Sequence, residues 1–158
     1  MKTQKDIQSA EASPQKEWWR SGVQFQCQGS GKCCTSHGEF GYVFLSPEDR
    51  ARIAKLLNMR VSDFTKKYCE KTGGVWHLIE EKGKPDCLFL EGKRCGIYEA
   101  RPSQCRTWPF WPEVMNAKSW QKDVVEFCPG VGKGRVISGE EIEAILKAQI
   151  HSEKHLGK

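Results

Sequence analysis

Nowhere in this chain of 158 residues does an apolar run approach the ~20 residues that cross a bilayer. The first eighteen residues, MKTQKDIQSAEASPQKEW, also lack a run of leader length, so the expectation is a soluble cytoplasmic protein without membrane contact. Charge of one sign is scarce too. Twenty-five basic residues against twenty acidic ones leave +5, too diffuse for a dedicated nucleic-acid footprint, and the aromatics have no basic stripe beside them. Nucleic acid is therefore not an expected partner. Nothing resembles a Ser/His/Asp arrangement, a paired-carboxylate site or a phosphate-cradling glycine loop before a helix. GVGKG at Gly130 to Gly134 lacks the Walker spacing and reads as a turn. No catalytic residue can be assigned from such absences, no internal repeat is visible, and a protein partner stays open.

Cysteine is what the chain has in quantity. Seven of its eight fall into two groups, Cys27, Cys33 and Cys34, then Cys87, Cys95, Cys105 and Cys128. Without a secretion signal a disulfide framework is disfavoured, and the neighbours Cys33 and Cys34 would close only a strained ring with each other. Gathered thiolates in a reducing compartment point to metal. Their softness selects zinc, copper(I) or iron–sulfur clusters over magnesium or calcium.

Residues 1–16 are polar and aperiodic and read as a loose tail. The remainder, 17–158, reads as one cysteine-cluster metal-binding domain opening at Trp18 and Trp19. Val23, Phe25 and Cys27 alternate with polar residues, a strand pattern that would bring Cys27 to an inner face. Gly29 and Gly31 then let the backbone of CQGSGKCC turn back. A second extended run is expected from Glu39 to Leu45. Ser46, Pro47, Glu48 and Asp49 form a strong helix start, with Ile53, Leu56 and Leu57 as the buried stripe and Asn58 as the breaker. Another helix starts at Ser62 and Asp63, and Cys69 reads as a small half-buried helical residue off its Phe64/Tyr68 stripe. Val75 to Ile79 and Cys87 to Leu90 read as strands, the EGKR turn folding Cys95 back beside Cys87. RPSQCR makes a short helical turn that places Cys105 near a helix N-terminus, where a thiolate is favoured. Cys128 lies in a loop. Ser138 and Glu141 box the start of a last helix with Ile142, Ile145, Leu146 and Ile150 inward. The fold class is α+β, a small irregular metal-organised domain with short antiparallel strands and about four helices.

The ordered set C-x5-C-C, CLFLEGKRCGIYEARPSQCRTWPF and FCPG, from about Gln26 to Gly130, resembles the YkgJ-like cysteine-cluster family of zinc- or iron-chelating domains. Cys95, Ile97, Tyr98, Arg101, Pro102, Cys105 and Arg106 follow its C-x-I-Y-x-x-R-P-x-x-C-R pattern. The resemblance implies a metal or iron–sulfur centre bound by Cys27, Cys33, Cys34, Cys87, Cys95, Cys105 and Cys128, with no role for Cys69. Flagellin lysine methylases are larger relatives, and no segment here matches their additional regions.

Seven thiols exceed the four that one tetrahedral zinc or one four-iron (4Fe-4S) cluster needs. Three accounts follow: two zinc ions sharing a bridging thiolate, two mononuclear sites completed by His37, or one four-iron cluster with three thiols to spare. The family resemblance favours iron–sulfur over zinc. Arg101 and Arg106 flank Cys105 and are candidates to contact the cofactor, neutralising its charge or donating to sulfur, against a purely structural pairing. Tyr98, Trp108, Phe110 and Trp111 are expected to wall the centre. His77, His151 and His155 read as structural or exposed. The leading function is a metal-binding protein whose centre is structural, electron-carrying or a vehicle for metal handling; the alternative is an iron–sulfur enzyme doing redox or methyl-transfer chemistry on a protein partner.

Overall fold

The computed structural model describes residues 17–34, 42–81, 83–84 and 86–157. The polar tail and His37 lie outside the described residues, as do residues 39–41 of the extended run expected from Glu39 to Leu45. The architecture is α+β: short helices with three separate two-stranded antiparallel sheets among the described residues. The chain forms two compact units, Pro109–Leu146 with the chain up to Gln28, and Gly29–Trp108 with the chain from Lys147 onward.

The first unit is built on one ladder and an aromatic cluster. β1 (Val23–Phe25) pairs antiparallel with β6 (Val131–Ile137), Val23 opposite Ile137. Register then slips, so that Phe25 meets Val131 while Gln24 meets Val136. The ladder extends one step further, where the Gln26 amide donates to the Gly130 carbonyl at 3.0 Å. A Cβ at position 130 would lie 2.5 Å from the Gln26 carbonyl oxygen, so the approach needs glycine. Trp18 packs on Trp120 with ring centres 5.0 Å apart and donates its indole N–H to the Met115 carbonyl. Phe110 stacks on Trp120 and meets Phe25 edge-on. Phe110 is thus a core residue of this unit. α4 (Ala117–Ser119) runs into the π-helical turn Trp120–Val125.

The second unit begins with α1 (Pro47–Leu56). Its capping box is complete: Ser46 Oγ accepts from the Asp49 amide, and Asp49 Oδ2 accepts from the Ser46 amide, both at 3.1 Å. Ile53 and Ala54 are fully buried, while Leu56, expected in the buried stripe, faces outward. Asn58 ends the helix with φ of +54°, a left-handed conformation that asparagine tolerates. α2 (Val61–Tyr68) starts one residue earlier than its sequence suggests, and Cys69 is not helical. It is the first residue of β2 (Cys69–Thr72), paired with Leu78 of β3 (Val75–Leu78). Residues 43–45 add to the other edge of β3 through the Leu45 amide to Trp76 and the Leu78 amide to Val43. Leu45, Ile53, Ala54, Phe64, Cys69, Leu78, Ile97 and Ala100 form the core. The hairpin of β4 (Leu90–Glu91) and β5 (Arg94–Cys95) follows, then α3 (Ser103–Thr107). α5 (Gly139–Lys154) closes the fold, its first half belonging to the first unit and its second to the other. Its Ser138–Glu141 capping box forms as expected. The inward face differs from expectation: Ile142, Gln149 and Ser152 are buried, and Ile150 is exposed.

Candidate metal centre

Hairpin geometry supplies the first two sulfurs. Leu90 stands opposite Cys95, and the Leu90 amide donates to the Cys87 carbonyl, so Cys87 sits on the turn entering β4 rather than on a strand of its own. Cys33 comes from the short 3-10 turn Lys32–Cys34. What docks that turn is Gly31, at φ +73°; a Cβ there would stand 2.9 Å from the Lys93 carbonyl oxygen in the hairpin turn. Only glycine lets this backbone press so closely on the turn between Cys87 and Cys95.

α3 carries Cys105 and is too short to hold itself. Asp49, fully buried, accepts from the Ser103 amide at 3.0 Å and the Ser103 hydroxyl at 2.8 Å, tying the start of α3 to the start of α1. Arg52 links the same carboxylate, at 2.6 Å, to the Arg101 carbonyl, at 2.8 Å. The Gln104 amide brackets residues 42–44, accepting from the Phe44 amide and donating to the Tyr42 carbonyl. Thr107 donates to Gln149 at 2.6 Å. Every face of the turn is gripped, which sequence reading of RPSQCR did not reveal.

Cys33, Cys87, Cys95 and Cys105 lie close enough to act electrostatically on one another. Burial pushes the Cys105 thiol strongly upward, and Cys87, Cys33, Cys95 and Asp49 add to the rise. Cys105 does lie near the start of α3, and there burial works against the thiolate that the dipole of the turn would favour. Cys87 is raised by burial as well, against a hydrogen bond from the Phe89 backbone. A metal bound by these groups must therefore expel their protons. Among the described residues no group of three or more Cys, His, Asp or Glu side chains stands at ion-holding distances, so the four thiols are neighbours rather than a closed cage.

The other cysteines are placed differently. In the first unit, Cys27 and Cys128 fall at one end of the β1–β6 ladder, beyond Gln26 and before Gly130; Cys27 lies past the strand and is exposed, not on an inner face. Cys34 ends the Lys32–Cys34 turn. Cys69 is core: burial lifts its thiol to about 11, with Arg50 opposing. Cys27, Cys33, Cys69, Cys87, Cys95, Cys105 and Cys128 are free of disulfides. The donor chemistry fits a thiophilic centre, since four grouped thiols suit zinc or iron–sulfur and are poor ligands for hard cations.

The arginines have structural engagements. Arg101 sits over Tyr98, its guanidinium carbon 3.8 Å from the ring centre, and Arg106 donates to the Glu99 carbonyl at 3.3 Å. Burial and the nearby Arg52 and Arg101 lower the Arg106 pKa. Tyr98 is more than half exposed and so stands open rather than in a wall. His77 is fully buried, its Nδ1 donating to the Leu78 carbonyl and its Nε2 bonded to Thr72, under a stacked Tyr42. It is structural.

The chain is 30% identical over 124 residues to the uncharacterized protein MJ0661 of Methanocaldococcus jannaschii, the alignment covering 73% of this chain and 64% of that protein. The chain thus spans under two thirds of that relative's length. No solved structure matches. The profile of the CxxCxxCC family, described as "Putative zinc- or iron-chelating domain", matches residues 26–129. One departure is legible in the family's name: its spacing, laid from Cys27 onto Cys33 and Cys34, would put a cysteine where this chain has Ser30, whose hydroxyl accepts from the Lys32 amide. With four sulfurs assembled in one unit and the profile spanning all seven clustered cysteines, the chain belongs to the CxxCxxCC family of zinc- or iron-chelating domains.

Proposed function

We propose that this protein holds an iron–sulfur cluster, or else zinc, through thiolates, with Cys33, Cys87, Cys95 and Cys105 as the ligand set of one centre. The observation that supports this reading is the close approach of the Cys33 turn, through Gly31, to the hairpin between Cys87 and Cys95, with Cys105 near enough to feel all three disulfide-free thiols. Four is the number that a tetrahedral zinc or a cubane cluster takes. Cys27, Cys34 and Cys128 are proposed as further ligands, and Arg101 and Arg106 as compensating charge for the sulfur-rich group. Bound iron–sulfur would supply one-electron chemistry; bound zinc would supply a structural tie. The role is electron transfer, metal handling or scaffolding in a reducing, cytoplasmic compartment.

Elemental and sulfide analysis of anaerobically purified protein is the test. Iron and sulfide near four per chain, as a cubane requires, support the cluster. Colourless protein with zinc and no sulfide supports the zinc form. Cys95→Ser and Cys105→Ser are each expected to lose most of the metal. Full retention in both rejects the ligand set.

A further inference from the structure

α5 and the turn that follows it carry the run His151-Ser152-Glu153-Lys154-His155, His151 in the last turn of the helix and His155 one residue past its end. Residues four apart on a helix face the same side, about 6 Å apart along the axis. Here the two imidazoles face each other, ring centres 4.3 Å apart and planes inclined by 35°. A second observation fixes how one of them is prepared. His155 Nδ1 lies 2.7 Å from the His151 carbonyl oxygen, and because a carbonyl only accepts, Nδ1 carries the hydrogen. The lone pair of His155 is therefore on Nε2. Orientation of a ligand imidazole by a hydrogen bond from its other nitrogen is the usual support behind metal-bound histidine. His151 is exposed, and among the described residues neither of its ring nitrogens has a hydrogen-bond partner.

We propose that His151 and His155 form a two-imidazole site for a divalent transition ion of the Ni2+, Cu2+, Zn2+ class, distinct from the cysteine cluster. Two imidazoles bound to one ion at about 2.0–2.1 Å place their ring centres roughly 4.5–5 Å apart, a small opening from the observed spacing. Magnesium and calcium are excluded by their demand for oxygen ligands. Glu153, the carboxylate between the two histidines, is hydrogen-bonded to Gln149 at 2.9 Å. The protein therefore gives two ligands and solvent completes the shell.

The test is titration of the full chain, carrying whatever metal its cysteines hold, with NiCl2. Calorimetry and imidazole resonances are followed together. The expected result is one further equivalent of Ni2+, with paramagnetic broadening of the His151 and His155 side chains first. Breaking the chelate with His151→Ala or His155→Ala is expected to weaken that step roughly a hundredfold, since the second contact is intramolecular once the first is made. Metal held by cysteine should be unchanged in both variants. Ni2+ affinity equal to the parent in both variants, or broadening of neither imidazole, overturns the proposal.

Discussion

The two units treat their cysteines in opposite ways. In the second, the turn carrying Cys105 is gripped by Asp49, Gln104 and Gln149, and the loop carrying Cys33 is pressed on the hairpin through Gly31. In the first, Cys27 and Cys128 follow the end of a two-stranded ladder whose register slips at Phe25. The contrast separates sulfurs placed by side-chain bracing between elements distant in sequence from sulfurs placed by local backbone, the ladder end at Gln26 and the Cys128 amide on the Val124 carbonyl. In the former, the position of each thiol depends on residues outside the sulfur group. Asp49 is the foremost of them.

The sharpest way to break that contrast is Asp49→Ala. It strips acceptors from the Ser46 and Ser103 amides and leaves Arg52 without its carboxylate, a loss of about 3 kcal/mol by analogy with broken buried pairs. Urea unfolding should show it. Metal affinity should fall by about tenfold or more, as when other supporting partners of ligands are removed. Asp49→Asn should recover part of both. Unchanged metal affinity in Asp49→Ala would mean that the brace serves the fold alone.

Next in size are two matched glycine substitutions, one per unit. Gly31→Ala meets the Lys93 carbonyl at positive φ and should cost about 1–2 kcal/mol, with clear loss of metal. Gly130→Ala meets the Gln26 carbonyl and should loosen the ladder, while most metal remains on the four sulfurs of the second unit. Equal metal loss in both would erase the distinction.

The smallest effect sharpens the comparison within the second unit. Cys69→Ser puts a hydroxyl into an apolar core and should cost about 1 kcal/mol while leaving metal content intact. Its thiol, pushed up to about 11, should also resist alkylation at neutral pH in the folded protein. Loss of metal in this variant would move Cys69 from the core to the ligand set.

What the sequence showed follows the range of the interactions. The Ser46 and Ser138 capping boxes, the Asn58 stop and the EGKR hairpin are made by residues a few positions apart, and each was legible. Cys69 was misread because pairing of β2 with β3, not local periodicity, decides its conformation. Ile150 turned outward because Thr107, forty-two residues away in sequence from Gln149, draws that glutamine to the buried face. The seven clustered cysteines were legible as a group. The upward shift of Cys87 and Cys105 was not, since desolvation depends on what packs around each sulfur, and Asp49 read only as an acid at the start of α1.

The grip on α3 also has a consequence for the order of events in biosynthesis. Its partners are separated from it by 54, 60 and 42 residues, the last of them downstream. Contacts of that separation form late, after the entropy of closing long loops has been overcome. Because Gln149 follows α3 in the chain, Cys105 reaches its final place only after α5 has been made and has docked. An emerging chain therefore presents its thiols one by one, unassembled and open to the wrong ion. Assembly of the four thiols therefore waits on the docking of α5 rather than on the emergence of the last cysteine.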